Sequence, residues 1–368
     1  MYRTLQQTLR RAVPLAAVAA VALAGAPEAR AQAIGFVWNN NPTTPGTTTP
    51  DAAYSYNSSG DAIGITRNVK GYYTVTFYGL GDASNGNVVL TAYGAGPDYC
   101  TAGSWYSSND TDVQADVYCY NKDGDRADHY FTLLYQARTH SDPTTPSVAY
   151  LLANQPSSSS YTPTAQYNPS GGVNTITHSA TGNYTANLPG LDRTGGTAIV
   201  SAVGSTGARC QVTNWGSGSS GTDVNVNCVD VLGGPYDEEF TLVYSIYETA
   251  GYGAGSGNGG AIWASNDTRR TPYDVSTRYS IPIDGEEMYA QRIGKGKYVW
   301  SMNVEDQWTS STVLVTAYDA PGSYCSTDYW SSSSTETYVY VNCFAADSTP
   351  ADTRFTATFQ LAGCCTIR

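Results

Sequence analysis

The chain has 368 residues and a formal net charge of −12 at pH 7, and only 14% of its residues are charged. An acidic chain with scattered charge argues against binding to nucleic acid, which needs a basic surface, and against binding to anionic lipid. With 30 Tyr and 37 Gly residues, the composition is typical of an extracellular β protein rather than a cytosolic enzyme.

The N-terminal segment, residues 1–31, has the pattern of a signal peptide. Three Arg side chains precede a short apolar run at residues 12–24, and Ala29-Arg30-Ala31 then forms a small-x-small cleavage site. The apolar run is too short to span a bilayer. We therefore expect a secreted protein whose mature chain starts near Gln32, with no membrane partner after cleavage.

One motif occurs three times in the remaining chain. A Trp follows the first Cys by five residues, and an Asp and a Phe follow the second Cys by nine and twelve. The members are Cys100, Trp105, Cys119, Asp128 and Phe131, then Cys210, Trp215, Cys228, Asp237 and Phe240, and finally Cys325, Trp330, Cys343, Asp352 and Phe355. This recurrence predicts one module used three times.

The first module, residues 32–138, contains seven or eight short stretches of strand formers separated by turn residues. The predicted strands lie at residues 36–38, 54–56, 71–77, 88–93, 100–106, 113–120 and 130–136, with a Pro-rich loop at 42–50. Turn signals every 8–12 residues are typical of a β-sandwich. The sequence therefore predicts an all-β protein of three tandem sandwich domains, Ig-like or jelly-roll-like, each with one internal disulfide.

Two linkers are predicted between the modules. Residues 139–146 form a Pro-rich, fairly stiff linker before the second module at 147–248, and residues 249–260 form a Gly-rich, flexible linker before the third at 261–363. We expect residues 364–368 to form a C-terminal tail. The flexible linker predicts that the third module can reorient relative to the other two.

The repeated cysteines predict three disulfides, Cys100–Cys119, Cys210–Cys228 and Cys325–Cys343, because an exported chain meets an oxidising compartment. A zinc site would need a CxxC or Cys/His cluster, and the sequence has none. Cys364-Cys365 belongs to no repeat. A strained vicinal disulfide, an interchain bridge and two reduced thiols all remain open for that pair.

No catalytic motif stands out. The three His residues, His129, His140 and His178, do not recur between modules, and no nucleophile elbow, zinc-protease or phosphate-loop motif occurs. The loop at residues 121–128 has the alternating oxygen side chains of a calcium loop, but its counterparts lack most of them. The Asp that all three loops share is better explained as an acceptor for turn amides. No cofactor is predicted.

Two carboxylate clusters could serve glycoside hydrolysis, namely Asp237-Glu238-Glu239 and Glu286-Glu287. Neither cluster recurs in the other modules, and adjacent residues on a strand point to opposite faces. We therefore interpret both clusters as solvated charge.

The repeated Trp105, Trp215 and Trp330 are the candidate binding residues. They are either core residues near the disulfide or exposed platforms that stack on sugars, and their repetition in register favours the core. The Trp follows its Cys by five residues, and side chains an odd number of residues apart point to opposite faces of a regular strand. A buried disulfide therefore implies an exposed Trp unless a bulge intervenes.

The run from Gly182 to Leu191, Gly-Asn-Tyr-Thr-Ala-Asn-Leu-Pro-Gly-Leu, precedes a Val/Ala-rich strand, Cys-x4-Trp and Val-Asn-Cys. This pattern resembles repeat modules in secreted proteins of soil bacteria, actinomycete-like in style. The resemblance covers nearly all of the mature chain, although the third module lacks the Pro-Gly-Leu at residues 302–306. It implies export and a β module, and it implies no reaction and no catalytic residue.

The expected function is therefore non-catalytic binding of a cell-surface or extracellular glycan or protein through the repeated modules. A secreted hydrolase acting on polysaccharide and a purely structural protein are the alternatives. The mixture of Tyr with Ser, Gly and Asn is the one that paratopes use. If this composition serves binding, three weak sites on one chain would bind a repetitive surface more tightly than one.

Overall fold

The computed structural model describes residues 33–81, 86–138, 148–191, 195–218, 220–246, 259–282, 287–303, 310–333 and 335–362. These residues form 26 strands and a single short 3-10 turn, Ala52–Tyr54. The all-β prediction is confirmed. Within the described ranges, no helix has the length and apolar character needed to cross a bilayer. The signal peptide, the first linker, His140, Glu286 and Cys364-Cys365 lie outside the described residues, as does the Gly-rich linker except for Gly259 and Gly260.

The strands alternate β-branched and aromatic residues with small polar ones, and each module supplies one series of them. Repeat 1 contains β1 (Ala33–Asn39), β2 (Gly46–Thr48), β3 (Tyr56–Asn57), β4 (Ile63–Val69), β5 (Tyr72–Phe77), β6 (Gly86–Tyr93), β7 (Tyr99–Ser108), β8 (Asp112–Tyr120) and β9 (Tyr130–Ala137). Repeat 2 contains β10 (Val148–Ala153), β11 (Ser160–Tyr161), β12 (Gln166–Tyr167), β13 (Thr175–Ala180), β14 (Asn183–Pro189), β15 (Thr197–Val203), β16 (Arg209–Ser217), β17 (Gly221–Val229) and β18 (Glu239–Ser245). Repeat 3 contains β19 (Gly259–Ala264), β20 (Tyr273–Asp274), β21 (Met288–Gly294), β22 (Lys297–Asn303), β23 (Ser311–Tyr318), β24 (Tyr324–Ser332), β25 (Glu336–Phe344) and β26 (Arg354–Leu361).

Each repeat is a sandwich of two sheets, and each sheet continues into a neighbouring repeat. The strand orders are β20-β21-β22-β25-β24-β6-β9-β1-β3, β12-β10-β18-β15-β7-β8-β5-β4-β2 and β11-β13-β14-β17-β16-β23-β26-β19. Repeat 1 thus shares one sheet with repeat 3 and another with repeat 2, and repeats 2 and 3 share the remaining one. The three repeats close into a ring with approximate threefold symmetry.

The sheets are joined by short parallel pairings. Thr327 pairs with Tyr93, Val203 with Ala102, and Val212 with Tyr318. The chain from residue 32 to its end accordingly forms one compact unit. The expectation that the third module reorients freely is therefore wrong, because its strands share backbone hydrogen bonds with both other repeats.

Three equivalent hydroxyl side chains tie the repeats together where they meet on the axis. The Thr91 hydroxyl donates to the carbonyl of Val315 (3.1 Å) and accepts from its amide (2.9 Å). Ser201 makes the same pair of bonds to Leu90, and Thr316 makes them to Val200. A buried cluster drawn from all three repeats lies beside them. Its members are Ile34, Phe36, Val89, Leu134, Val148, Tyr150, Ile199, Val243, Leu314 and Ala362.

The three predicted disulfides are confirmed as Cys100–Cys119, Cys210–Cys228 and Cys325–Cys343. In each pair the two cysteines lie directly opposite one another on adjacent antiparallel strands. One extra residue bulges from the first strand just after its Cys, between Ala102 and Trp105 in repeat 1 and at equivalent places in the other two. The bulge reverses the alternation of side chains, so that the Trp and the disulfide contribute to the same core.

Candidate functional site

Each junction between two repeats is built around one copy of the repeated Trp. Three positions of the neighbouring repeat form a cluster with that Trp: one on the first strand of the repeat, one in the turn or bend just before the short segment that pairs with this strand, and one after the repeated Ala. These are Trp38, Tyr54 and Tyr93 around Trp330, then Trp263, Tyr279 and Tyr318 around Trp215, and Leu152, Ala165 and Val203 around Trp105. We name these the 1–3, 2–3 and 1–2 junctions.

Aromatic rings fill the 1–3 and 2–3 junctions. Trp330 lies edge-on to Tyr54 and Tyr93, with ring centroids 5.4 and 5.6 Å apart. Trp215 makes the same kind of contact with Tyr318, Trp263 and Tyr279, at 5.0 to 6.1 Å. Edge-to-face packing at these distances is the preferred aromatic geometry. Consequently Trp215 and Trp330 are only 7% and 8% exposed.

The 1–2 junction has no such rings, and a cavity of about 710 Å³ lies beside Trp105. Leu152 replaces the Trp of the other repeats, and Ala165 and Val203 replace their Tyr residues. The strand register gives Ala165 the place opposite Leu152 that Tyr54 and Tyr279 take opposite their Trp, and the amide of Leu152 donates to the carbonyl of Ala165 (3.0 Å). The cavity therefore results from smaller side chains at three positions of a shared frame. We call this site the open junction.

Trp105 is held in place although it is only half-buried. Its indole Nε1 donates to the carbonyl of Gly86 (3.0 Å), and Trp330 makes the equivalent bond to the hydroxyl of Ser311 (3.0 Å). The ring orientation is thus the one seen at a filled junction, without the rings that would cover it. Such a preorganised aromatic side chain can stack on a ligand without being ordered first.

Further aromatic and small polar side chains of repeat 1 extend the cavity wall from Trp105. Tyr106 is 44% exposed. The ring of Tyr118 packs on Tyr72 (4.9 Å between centroids) and under the guanidinium of Arg126 (4.0 Å). The remaining small residues of the lining are Gly103, Ser104 and Ser107 of repeat 1 and Gly204 and Ser205 of repeat 2. The wall thus offers ring faces and hydroxyl groups at one place.

Two carboxylates of repeat 2 also line the cavity. Glu238 is only 6% exposed, and its carboxylate accepts hydrogen bonds from the hydroxyl of Thr206 and from the amide of Glu239. Burial raises the pKa of Glu238, although the bond from Thr206 acts in the opposite direction. Burial and the neighbouring charge of Glu238 raise the pKa of Glu239.

These acidic residues occur only at the open junction. Glu239 pairs with Val203 across the sheet, whereas the equivalent pairs are Tyr130 with Tyr93 and Arg354 with Tyr318. None of the described residues that line the cavity is Lys, Arg or His. The interpretation of residues 237–239 as solvated charge is therefore wrong for Glu238, because this residue precedes the strand and turns into the junction.

This chain matches no protein-family model, and no curated protein shows significant similarity to it. Its functional site must therefore be argued from geometry alone.

The Asp that recurs in every repeat has a structural role. Asp128 accepts bonds from the amide of Gly71 (2.9 Å), the hydroxyl of Tyr73 (3.0 Å) and the guanidinium of Arg67 (2.8 Å). Burial acts to raise the pKa of Asp128, but these donors outweigh it and hold that pKa below its ordinary value. Asp237 and Asp352 bind the equivalent Gly amides. The Asp thus fastens the hairpin turn to the closing strand, as its recurrence predicted.

The remaining candidates form no second site within the described ranges. No group of three His, Cys, Asp or Glu side chains is placed there to hold a metal ion. In the loop at residues 121–128, Asn121 Oδ1 accepts from the amides of Asp123 (3.0 Å) and Asp125 (2.9 Å). His178 bonds to Asp237 (2.9 Å), and His129 lies beside Asp98 (3.6 Å). Glu287 is exposed, as expected for solvated charge.

Leu152 stands where repeats 1 and 3 have Trp38 and Trp263, and this replacement can be read from the sequence. The informative signal was this departure from the repeat, which also includes Val203 where Tyr93 and Tyr318 stand. The equivalence of Ala165 with Tyr54 and Tyr279 depends on strand pairing across loops of unequal length. Only the structure supplies that pairing.

Proposed function

We propose that this protein is a secreted, non-catalytic binding protein and that the open junction binds a saccharide. The observation that carries the proposal is the cavity of about 710 Å³ beside the preorganised Trp105. Its volume lies within the range of small-molecule sites. The export signal and the three disulfides support an extracellular location.

A saccharide fits the chemistry of this wall better than a purely apolar ligand does. Sugar rings present C–H faces that pack on aromatic rings, and hydroxyl groups that need hydrogen-bond partners. Trp105 and Tyr106 supply the ring faces, while the serines and the carboxylates of Glu238 and Glu239 supply hydrogen-bonding groups. An apolar ligand would leave these polar groups buried without partners, which costs free energy.

The structure favours one binding site over three. At the filled junctions, aromatic rings occupy the space that Leu152, Ala165 and Val203 leave free at the open one. We accordingly propose one binding site between repeats 1 and 2, and not one site on each of the three modules.

A hydrolase is the second candidate, because two carboxylates with raised pKa values line the same cavity. Glycosidases use such a pair on opposite sides of the scissile bond. Glu238 and Glu239 are adjacent in the chain, and Thr206 holds the Glu238 carboxylate. Binding is therefore the better proposal. Turnover of polysaccharide that is lost in Glu239→Gln would establish the hydrolase instead.

Closing the cavity tests the binding site. Ala165→Tyr restores the side chain that the equivalent positions Tyr54 and Tyr279 carry, so it should fill the junction without disturbing the fold. Leu232→Tyr adds the same side chain at an 87% exposed position of the same repeat, and it is the matched control. We expect a panel of bacterial and plant cell-wall oligosaccharides, measured by calorimetry, to contain a ligand that binds the wild-type protein and Leu232→Tyr equally.

Ala165→Tyr should weaken that binding by about a hundredfold, since the ligand and the new ring compete for one volume. Unchanged affinity in Ala165→Tyr would place the saccharide elsewhere and overturn the proposed site. Absence of binding across the panel would overturn the proposed function.

A further inference from the structure

The charge at the open junction specifies its ligand more narrowly, provided that the proposed function holds. We infer that the site takes a saccharide that carries protonated amino groups, such as an oligomer of glucosamine. The inference starts from Glu238. This residue is only 6% exposed, and its carboxylate has no ion-pair partner among the described residues.

Buried carboxylates in proteins are normally paired with a cation, because removing the charge from water is costly. The donors to Glu238 are neutral, namely the hydroxyl of Thr206 and the amide of Glu239. These bonds orient the carboxylate without neutralising it. A second carboxylate, Glu239, follows directly and adds a like charge at the same wall.

The described residues that line the cavity include no cation that would compensate these charges. The position equivalent to Glu239 is Arg354 in repeat 3, and its guanidinium lies over the ring of Tyr318 (5.3 Å) at a filled junction. At the open junction both the cation and the ring are absent. In repeat 3 the guanidinium of Arg354 supplies the cation and Tyr318 supplies the ring. A ligand that carries an ammonium group and a sugar ring would supply both at the open junction.

The aromatic wall favours the same ligand. A cation near the face of Trp or Tyr is attracted by the ring, and Trp is the best partner. Trp105 and Tyr106 line the cavity with Glu239, so ammonium groups on a sugar can contact carboxylate and ring together. The raised pKa values of Glu238 and Glu239 agree with this wall, because both carboxylates lack a cation that would lower them. Uronic-acid sugars should be repelled by the same charges.

The test compares two sugars with the same rings and linkage, one carrying ammonium groups and the other neutral acetamides in their place. The probes are the β-1,4-linked glucosamine hexamer and its fully N-acetylated form, with spermine as an amine without a sugar ring. Calorimetry is done at about pH 6 and again at about pH 7, because the amines are protonated in slightly acidic buffer whereas the raised pKa values of Glu238 and Glu239 favour their ionised forms at the higher pH. We expect the glucosamine hexamer to bind about tenfold or more tightly than the acetylated hexamer or spermine, as a charged hydrogen bond implies.

Glu239→Gln should remove that preference and weaken binding of the glucosamine hexamer by about tenfold. The matched control is Asp274→Asn, which removes one exposed carboxylate from β20 and should change affinity less than about twofold. Thermal unfolding of each variant verifies that it is folded. Spermine binding as tightly as the glucosamine hexamer would overturn the inference, since the sugar ring would then contribute nothing.

The remaining outcomes separate the inference from the proposal on which it rests. If the two hexamers bind equally and Glu239→Gln does not change their affinity, the inference is overturned. If Ala165→Tyr then abolishes the binding of both hexamers, the proposed site still stands. Failure of both hexamers and of every other saccharide to bind overturns the proposed function as well.

Discussion

The filled and open junctions have the same central Trp and equivalent positions around it, yet one kind is packed and the other contains a cavity. Trp330 contacts Tyr54 and Tyr93 edge-to-face, whereas Trp105 faces Ala165 and Val203. Smaller side chains at three equivalent positions, Leu152, Ala165 and Val203, leave the cavity. Packed aromatic clusters contribute to stability, so the chain gives up packing at one of three equivalent places, which is what a binding site requires.

The charged residues show the same contrast. Opposite the residue that follows the repeated Ala, repeat 1 has Tyr130, repeat 3 has Arg354 and repeat 2 has Glu239. A carboxylate occurs there only where the junction is open. Because the three repeats share one frame, two of them serve as internal controls for the third, and a residue that departs from both is explained by function more readily than by folding.

The junctions exist only because the three repeats form one compact unit, so isolating one repeat should have the largest effect on stability. Residues 147–248 produced alone should show no cooperative unfolding transition. The isolated repeat exposes the edges of β15 and β16 and loses the partners of Tyr150 and Ile199 in the central cluster. Urea unfolding followed by circular dichroism provides the measurement. A sharp transition with a slope expected for the full repeat would contradict it.

Truncating the central Trp should distinguish the two kinds of junction. Trp330→Ala removes a ring that is packed on all sides and should lower the free energy of unfolding by about 3–5 kcal/mol. Trp105→Ala removes a half-buried ring and should cost roughly 1–2 kcal/mol. Trp215→Ala is the internal check, since it should resemble Trp330→Ala. Equal costs for Trp105→Ala and Trp330→Ala in denaturant unfolding would mean that the open junction is packed as well.

The sequence predicted the modules, the all-β class and the disulfide pairing, because these depend on local spacing and on residues common to all repeats. Sharing of sheets between repeats was missed, since parallel contacts such as Val203 with Ala102 leave no periodic trace in the sequence. The sequence predicted that Trp105 faces away from its Cys unless a bulge intervenes, and this exception applies, because one extra residue in β7 reverses which face the side chains occupy. Neither feature is visible without the strand register.

Filling the open junction should make it resemble the other two. Ala165→Tyr places a ring where it can meet Trp105 edge-on, as Tyr54 meets Trp330, and should raise the free energy of unfolding by about 1 kcal/mol. The exposed Leu232→Tyr should leave it within about 0.5 kcal/mol. Denaturant unfolding of both variants gives the comparison. A less stable Ala165→Tyr would show that the backbone at this junction differs from the filled ones.

The smallest effect concerns the carboxylate of Glu238 and depends on pH. Burial raises its folded pKa above the ordinary value of 4.5, so the folded protein carries a penalty for the ionised group. That penalty is fully present above the folded pKa, shrinks as the pH falls through it, and is absent below the ordinary value. Glu238→Gln keeps the shape of the side chain without the charge. It should therefore be more stable than the wild-type protein at pH 7, by on the order of 1 kcal/mol or less.

The gain should disappear near pH 4, where the wild-type carboxylate is also neutral. Urea unfolding of both proteins at the two pH values measures this change in the stability difference. Asp274→Asn controls for the loss of one negative charge and should stay within about 0.5 kcal/mol of wild type at either pH. A difference between Glu238→Gln and wild type that is the same at both pH values would mean that the carboxylate is compensated within the protein. In that case the open junction would have no unpaired charge to offer an ammonium group, and the amino-sugar inference would lose its starting point.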